Sequence, residues 1–178
     1  DNVETLIAIH NAVVYGRPIT SRVVTVSGDD VQEPGNFKVL IGTNQRELVD
    51  AAGGFVGEAE KVISGGPMMG FAMFTLDTPI TKTSSSILCM TNDAVAEREP
   101  SACINCGRCV DACPSRIIPS RLADYAERFN EEAFVKWEGM ECVECGCCSY
   151  VCPAKRQLKQ SIGSMKKIVI ANRKKRGN

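Results

Sequence analysis

Two cysteine runs constrain this chain more than any other feature of its sequence. Residues 103–114 read CINCGRCVDACP and residues 142–153 read CVECGCCSYVCP. Laid on one another, they pair Cys103 with Cys142, Cys106 with Cys145, Cys109 with Cys148 and Cys113 with Cys152, while Gly107 falls on Gly146 and Pro114 on Pro153. The second run has a fifth cysteine, Cys147, and its partner in the repeat is Arg108, which cannot ligate a metal. The repeat itself therefore marks Cys147 as the thiol outside the ligand set.

The order C-x2-C-x2-C-x3-C-P is that of bacterial ferredoxins, in which three thiolates hold one 4Fe–4S cluster and the fourth reaches the cluster of the other run. The spacing predicts crossed ligation: Cys103, Cys106, Cys109 and Cys152 at a first cluster, and Cys142, Cys145, Cys148 and Cys113 at a second. Thiolates are soft ligands suited to iron and sulfide. The glycine after the second cysteine of each run lets backbone amides approach the cluster sulfurs. Ile104 and Val143, at matching loop positions, are expected to shield the clusters from water. Zinc also takes four thiolates, but three cysteines this close together with a fourth before proline, twice over, favour iron–sulfur chemistry.

Composition is consistent with that chemistry. The 178 residues, 44% of them hydrophobic, suit one medium domain or two small ones. Ten cysteines in a secreted chain would suggest disulfides, but nine fall in the two runs, eight of them at the repeated positions, and no apolar signal segment opens the sequence, so a reducing cytoplasm is expected. No stretch approaches the roughly 20 apolar residues of a membrane-spanning helix, so a membrane link is expected to be peripheral. The net charge of zero conceals an asymmetry, because from Lys155 onward there are nine bases and no acid. The basic end, with Lys166, Lys167, Arg173, Lys174, Lys175 and Arg176, is read as a solvated tail or as a contact for anionic lipid or an acidic surface. No aromatic residues interleave with these charges, so nucleic acid is not an expected partner.

Residues 1–19 have helical spacing at Leu6, Ile9, His10 and Val13 before Gly16 and Pro18, and they read as the helical end of something longer. Residues 20–91 carry strand signals in RVVTVSGD, FKVLIG, KVIS and SSILCM. Between them lies one helix that opens at Asn44 with Glu47 three residues on, buries Leu48 and Ala51, and stops at Gly53 and Gly54. That pattern predicts a small α+β domain with a mixed sheet. Residues 92–100 form a polar linker, and residues 101–165 a mostly helical domain, followed by the basic tail at 166–178. Leu122, Tyr125, Ala126, Phe129 and Ala133 give one buried helical face in the 28-residue gap between the runs, and Leu158, Ile162 and Met165 a second after Pro153.

Other chemistry is weakly signalled. His10 is the only histidine and no nucleophile motif accompanies it. GGPMMG lacks the order of a dinucleotide loop and reads as a tight turn, and there is no P-loop. Cys89, in an apolar strand, reads as core.

The succession NVET, RVVTVSGD, EPGN, GGPMMG, ACINCGRCVDACP and CVECGCCSYVCPAKR resembles the C-terminal part of the C subunit of the Rnf electron-transport complex, over essentially the whole chain. The resemblance implies a β-grasp soluble-ligand-binding module followed by a two-cluster ferredoxin domain. It also implies an upstream domain binding FMN and NAD(H), which the NVET segment closes, with Asn2 and Thr5 toward the flavin edge. The implied function is relay of single electrons between that flavin and partner redox subunits in an ion-pumping ferredoxin:NAD oxidoreductase. The implied partners are other subunits of the complex and ferredoxin, at the cytoplasmic face of the membrane. The alternatives are a cobalamin reductase of similar layout and a non-redox scaffold with structural clusters.

Overall fold

The computed structural model describes residues 2–93, 95 and 97–177. Asp1 of the expected first segment, Ala94 and Ala96 of the expected linker, and Asn178 of the basic end lie outside the described residues. The chain divides after Asp93 into two compact units.

In the first unit, helix α1 (Val3–Tyr15) starts where the Asn2 side chain accepts a hydrogen bond from Glu4 N and stops at Gly16 in the left-handed conformation. No residue of α1 is buried. Strands β1 (Ser21–Ser27), β2 (Gly35–Leu40), β3 (Lys61–Ser64), β4 (Phe71–Met73) and β5 (Ser86–Met90) form one sheet in the order β2-β1-β5-β3-β4. Only the β1–β5 pair is parallel, so the sheet is mixed, as the sequence predicts. Val24 and Val26 of β1 and Ile87 and Cys89 of β5 alternate into a core that Leu48, Val49 and Ala52 of helix α2 (Gln45–Ala51) and its last turn cover.

One local expectation is corrected in this unit. Ala51 is exposed, because the 3.6-residue period carries the covered face from Leu48 and Val49 to Ala52 instead. The Asn44 side chain caps the helix by accepting from Arg46 N. Strand β4, directly after GGPMMG, is invisible in the sequence because three residues at a sheet edge carry no periodic signal.

The second unit is helical: α3 (Arg108–Asp111), α4 (Pro119–Glu127), α5 (Glu131–Lys136), a 3-10 turn (Gly139–Glu141), α6 (Cys147–Tyr150) and α7 (Leu158–Arg176). Its core joins Leu122, Ala123 and Ala126 of α4 and Phe134 of α5 to Leu158, Ile162, Met165 and Val169 of α7. The gap between the cysteine runs contains two short helices where the sequence suggests a single face. Phe129 takes a positive φ and is exposed, Asn130 caps the next helix, and Phe134 is the residue that enters the core. The described part of the basic end, residues 166–177, is likewise corrected. It is not a frayed tail, since α7 runs unbroken through Arg176 with Val169 fully buried.

Candidate metal centre

The internal repeat survives in the backbone. Gly107 and Gly146 each precede a four-residue helix, α3 and α6, with φ of 78° and 84°. Two residues earlier Asn105 and Glu144 have φ of 53° and 55°, and after the fourth cysteines Arg116 and Lys155 have φ of 55° and 54°. The six residues form three matched pairs, so the two loops follow the same path although their side chains differ. Positive φ is costly for a side-chain-bearing residue, and its recurrence at matched sites shows that the loop geometry is imposed by the repeat.

The two loops and the two short helices turn the cysteines into two hollows. Cys103, Cys106, Cys109 and Cys152 line the first. Cys142, Cys145, Cys148 and Cys113 line the second. Each hollow thus collects three thiols of one run and the last thiol of the other. Ile104 lines the first and Val143 the second, each at the mouth, with 65% and 57% of its surface exposed. Cys147 lines neither hollow. Cys89 is buried in β5, inside the sheet core of the other unit.

The chemistry of these donors fits iron–sulfur clusters. All eight are free thiols, and thiolates are the ligands such clusters take. Among the described residues no three His, Cys, Asp or Glu side chains converge on a point in the way a single metal ion needs; each quartet instead rings a hollow. Burial pushes the Cys148 thiol up to about 11 and raises that of Cys142. Both line the second hollow, where binding a metal group would release protons from these thiols, the usual coupling of metal binding to proton release. The Cys147 thiol is raised chiefly by its hydrogen bond to Cys145.

Two cations flank the leading cysteines. Arg156 lies 2.7 Å from Asp124 and 3.0 Å from Glu127 and also reaches Cys103. Burial disfavours its charge, but the hydrogen bond to Asp124 and the fields of Glu127 and Asp124 outweigh this and raise its pKa. Lys166 of α7 donates to the Cys142 carbonyl at 2.5 Å and lies 3.5 Å from Glu144. Cysteine spacing reveals neither contact. The one signal in the sequence is the onset of bases after the last acid, which by itself suggests a solvated end.

The residues expected near a flavin lie in the first unit. Asn2 is exposed and its side chain is engaged in capping α1. Thr5 is exposed and lines an open hollow beside Arg17, Arg22 and Lys38. His10 packs edge-on against Tyr15 within α1, at 5.5 Å between rings. No helix among the described residues is long and apolar enough to cross a membrane.

Comparison with known proteins assigns both units. Residues 23–72 match the SLBB domain family and residues 102–155 the 4Fe-4S dicluster domain family. The chain is 49% identical over 166 residues to the C subunit of the proton-translocating ferredoxin:NAD(+) oxidoreductase complex of Clostridium ljungdahlii, covering 93% of this chain and 36% of that protein. It is 43% identical over 174 residues to the C subunit of the Na(+)-translocating ferredoxin:NAD(+) oxidoreductase complex of Acetobacterium woodii, covering 98% of this chain and 39% of that protein. The C subunit of the ion-translocating oxidoreductase complex of Rhodobacter capsulatus is 41% identical over 121 residues, which are 68% of this chain and 23% of its own length. The chain thus spans well under half the length of these curated relatives.

Proposed function

Over nearly all of its length this chain is homologous to the C subunit of ion-translocating ferredoxin:NAD(+) oxidoreductase complexes, and from that premise we propose that it is the electron-relay part of such a subunit. The carrying observation is the pair of hollows, each ringed by three cysteines of one run and one of the other. In this reading Cys103, Cys106, Cys109 and Cys152 hold a first 4Fe–4S cluster, and Cys142, Cys145, Cys148 and Cys113 a second. Such clusters, when bound, supply one-electron redox chemistry.

What the chain contributes is placement and environment. Crossed quartets tie α3 to the second site and α6 to the first, which holds the two sites close together. The core of α4, α5 and α7 fixes the loops behind them. Ile104 and Val143 limit water at the mouths, and solvent access is one of the factors that set a cluster's potential. Substrate chemistry belongs to other parts of the subunit. FMN and NAD(H) belong to the part of the subunit outside this sequence, with Asn2 and Thr5 at the boundary toward them, and ferredoxin is a redox partner. The subunit is peripheral, at the cytoplasmic face of the membrane beside other subunits of the complex.

The names of the relatives favour this reading over a cobalamin reductase, and a redox titration separates it from a scaffold. Iron and acid-labile sulfide are to be measured per chain, followed by low-temperature EPR after anaerobic reduction. Two reducible clusters with magnetic coupling between them are expected. A single cluster, zinc in place of iron, or clusters inert at physiological potentials would refute the relay.

A further inference from the structure

Of the charges in the basic C-terminal segment, Lys167, Arg173, Lys174 and Lys175 are exposed, but Lys166 is turned inward with only 16% of its side chain accessible. Its ammonium is held between the carbonyl of Cys142 at 2.5 Å and the carboxylate of Glu144 at 3.5 Å. Glu144 is fixed as well. Its backbone has a positive φ, its N–H points to the Cys142 sulfur at 3.4 Å, and it lies against α7 where Gly163 leaves room. A Cβ at position 163 would come within 2.9 Å of the Glu144 carboxylate. Glycine inside a long helix costs about 1 kcal/mol relative to alanine, and here it makes the space that the carboxylate occupies. Lys159, Gly163 and Lys166 follow one another at helical spacing on one side of α7, and Lys159 also lines the second hollow.

The first site differs. The repeat places neutral Asn105 where the second has Glu144. The cation beside Cys103, Arg156, is already matched by two carboxylates, Asp124 and Glu127. The Lys166–Glu144 pair is therefore specific to one of two otherwise repeated loops.

We propose that Lys166 and Glu144 are positioning residues that set the reduction potential of the second cluster site in opposite senses, Lys166 raising it and Glu144 lowering it, without acting on the first. The inference rests on the relay reading above. Reduction adds one negative charge at the site. A fixed cation beside one of the site's cysteines favours the reduced state and a fixed anion there disfavours it, and a partly buried setting screens both less than bulk water does. Hydrogen bonds and local charge are among the factors by which a protein tunes such groups.

The test is an EPR-monitored redox titration of the complete subunit, assembled with its clusters, as wild type and as Lys166→Met, Lys166→Arg and Glu144→Gln. The second-site step is identified by its loss in Cys148→Ser. Iron content is measured in each variant. The expected result is a more negative second-site potential in Lys166→Met, a more positive one in Glu144→Gln and a near wild-type value in Lys166→Arg, with the first-site step unmoved. Opposite shifts with iron retained are what a merely structural role would not produce. Should Lys166→Met fail to assemble, Glu144→Gln decides alone: a positive shift confined to the second site supports the pair. No shift, a negative shift, or equal movement of both steps overturns it. Absence of two iron clusters from the wild type would instead overturn the relay reading beneath it.

Discussion

The adjacent pair Cys147 and Cys148 separates the ligand assignment from its nearest competitor by a single residue. Cys148 is nearly buried and lines the second hollow with Cys142, Cys145 and Cys113. Cys147 is half-buried and lines neither hollow. Serine is nearly isosteric, but its hydroxyl is a hard, weak ligand for iron–sulfur chemistry. Cys148→Ser should therefore lower the iron content from about eight to about four per chain, the loss of one 4Fe–4S cluster. A cluster bound there would also stabilise the helical unit by mass action, on the order of 4 kcal/mol for a ligand held a thousandfold above its dissociation constant. In a domain of this size that is a fall in Tm of roughly 15–30 °C. Cys147→Ser should leave iron and sulfide unchanged and shift stability by less than about 1 kcal/mol, since the serine hydroxyl can keep the hydrogen bond to Cys145. The assay is anaerobic purification, iron and sulfide analysis, and thermal unfolding of the same preparations. Iron lost from Cys147→Ser and kept in Cys148→Ser would show that the two runs are paired in the wrong register.

Three further outcomes follow from particular contacts. Gly139→Ala would place a Cβ 2.5 Å from the ring of fully buried Phe134, so overpacking should cost roughly 1–3 kcal/mol in urea unfolding of the chain; an unchanged midpoint would mean the ring has room to move. The Cys89 thiol is pushed by burial to about 11 in the fold, against 9.0 for an ordinary thiol. Its folded-state pKa is raised, so the stability it contributes is complete below about pH 9 and is lost as pH rises toward 11. Relative to Cys89→Ala, wild type should lose about 2–3 kcal/mol across that window, and parallel stability curves for the two would contradict the burial argument. Neutralising the exposed Lys167, Arg173, Lys174 and Lys175 to glutamine should weaken co-sedimentation with anionic vesicles, at about 1 kcal/mol per charge brought to the surface, and leave neutral vesicles unaffected. Equal binding of both forms would remove these charges from membrane association. Deleting the segment instead would also remove buried Val169 and inward-turned Lys166, so the substitutions are the cleaner perturbation.

The mixed sheet and the helical second unit are legible in the sequence because their signals are local. β-branched runs end at turn formers, and Leu158, Ile162 and Met165 recur at helical spacing and are buried. The break at Phe129 is not legible, because a positive φ at an aromatic residue has no sequence signature and the apolar period continues across it. Strand β4 depends on pairing with β3, a non-local contact that three residues cannot announce. Likewise, the charges after Lys155 form one group in the sequence, although the burial of each is decided by which side of α7 it occupies. How the thiols group follows from the ferredoxin order of the two runs. That Glu144 and Lys166 meet beside one of the two groups does not, because it depends on how α7 packs.

A repeat that builds two similar loops also poses a functional problem, since a relay with two identical sites has no preferred place for the electron. The structure departs from its own repeat through residues other than the cysteines. At the first site Arg156 is anchored to α4 by Asp124 and Glu127, so its positive charge is more than compensated nearby. At the second site α7 supplies Lys166 against the single carboxylate of Glu144. The same helix sends Leu158, Ile162, Met165 and Val169 into the core, and Gly163 and Lys166 each come one position after a core residue, on the neighbouring stripe. Packing α7 against α4 thus fixes the rotation that brings Lys166 to Cys142. The hydrophobic face that gives the unit its stability is also what places the charge that makes its two sites unequal.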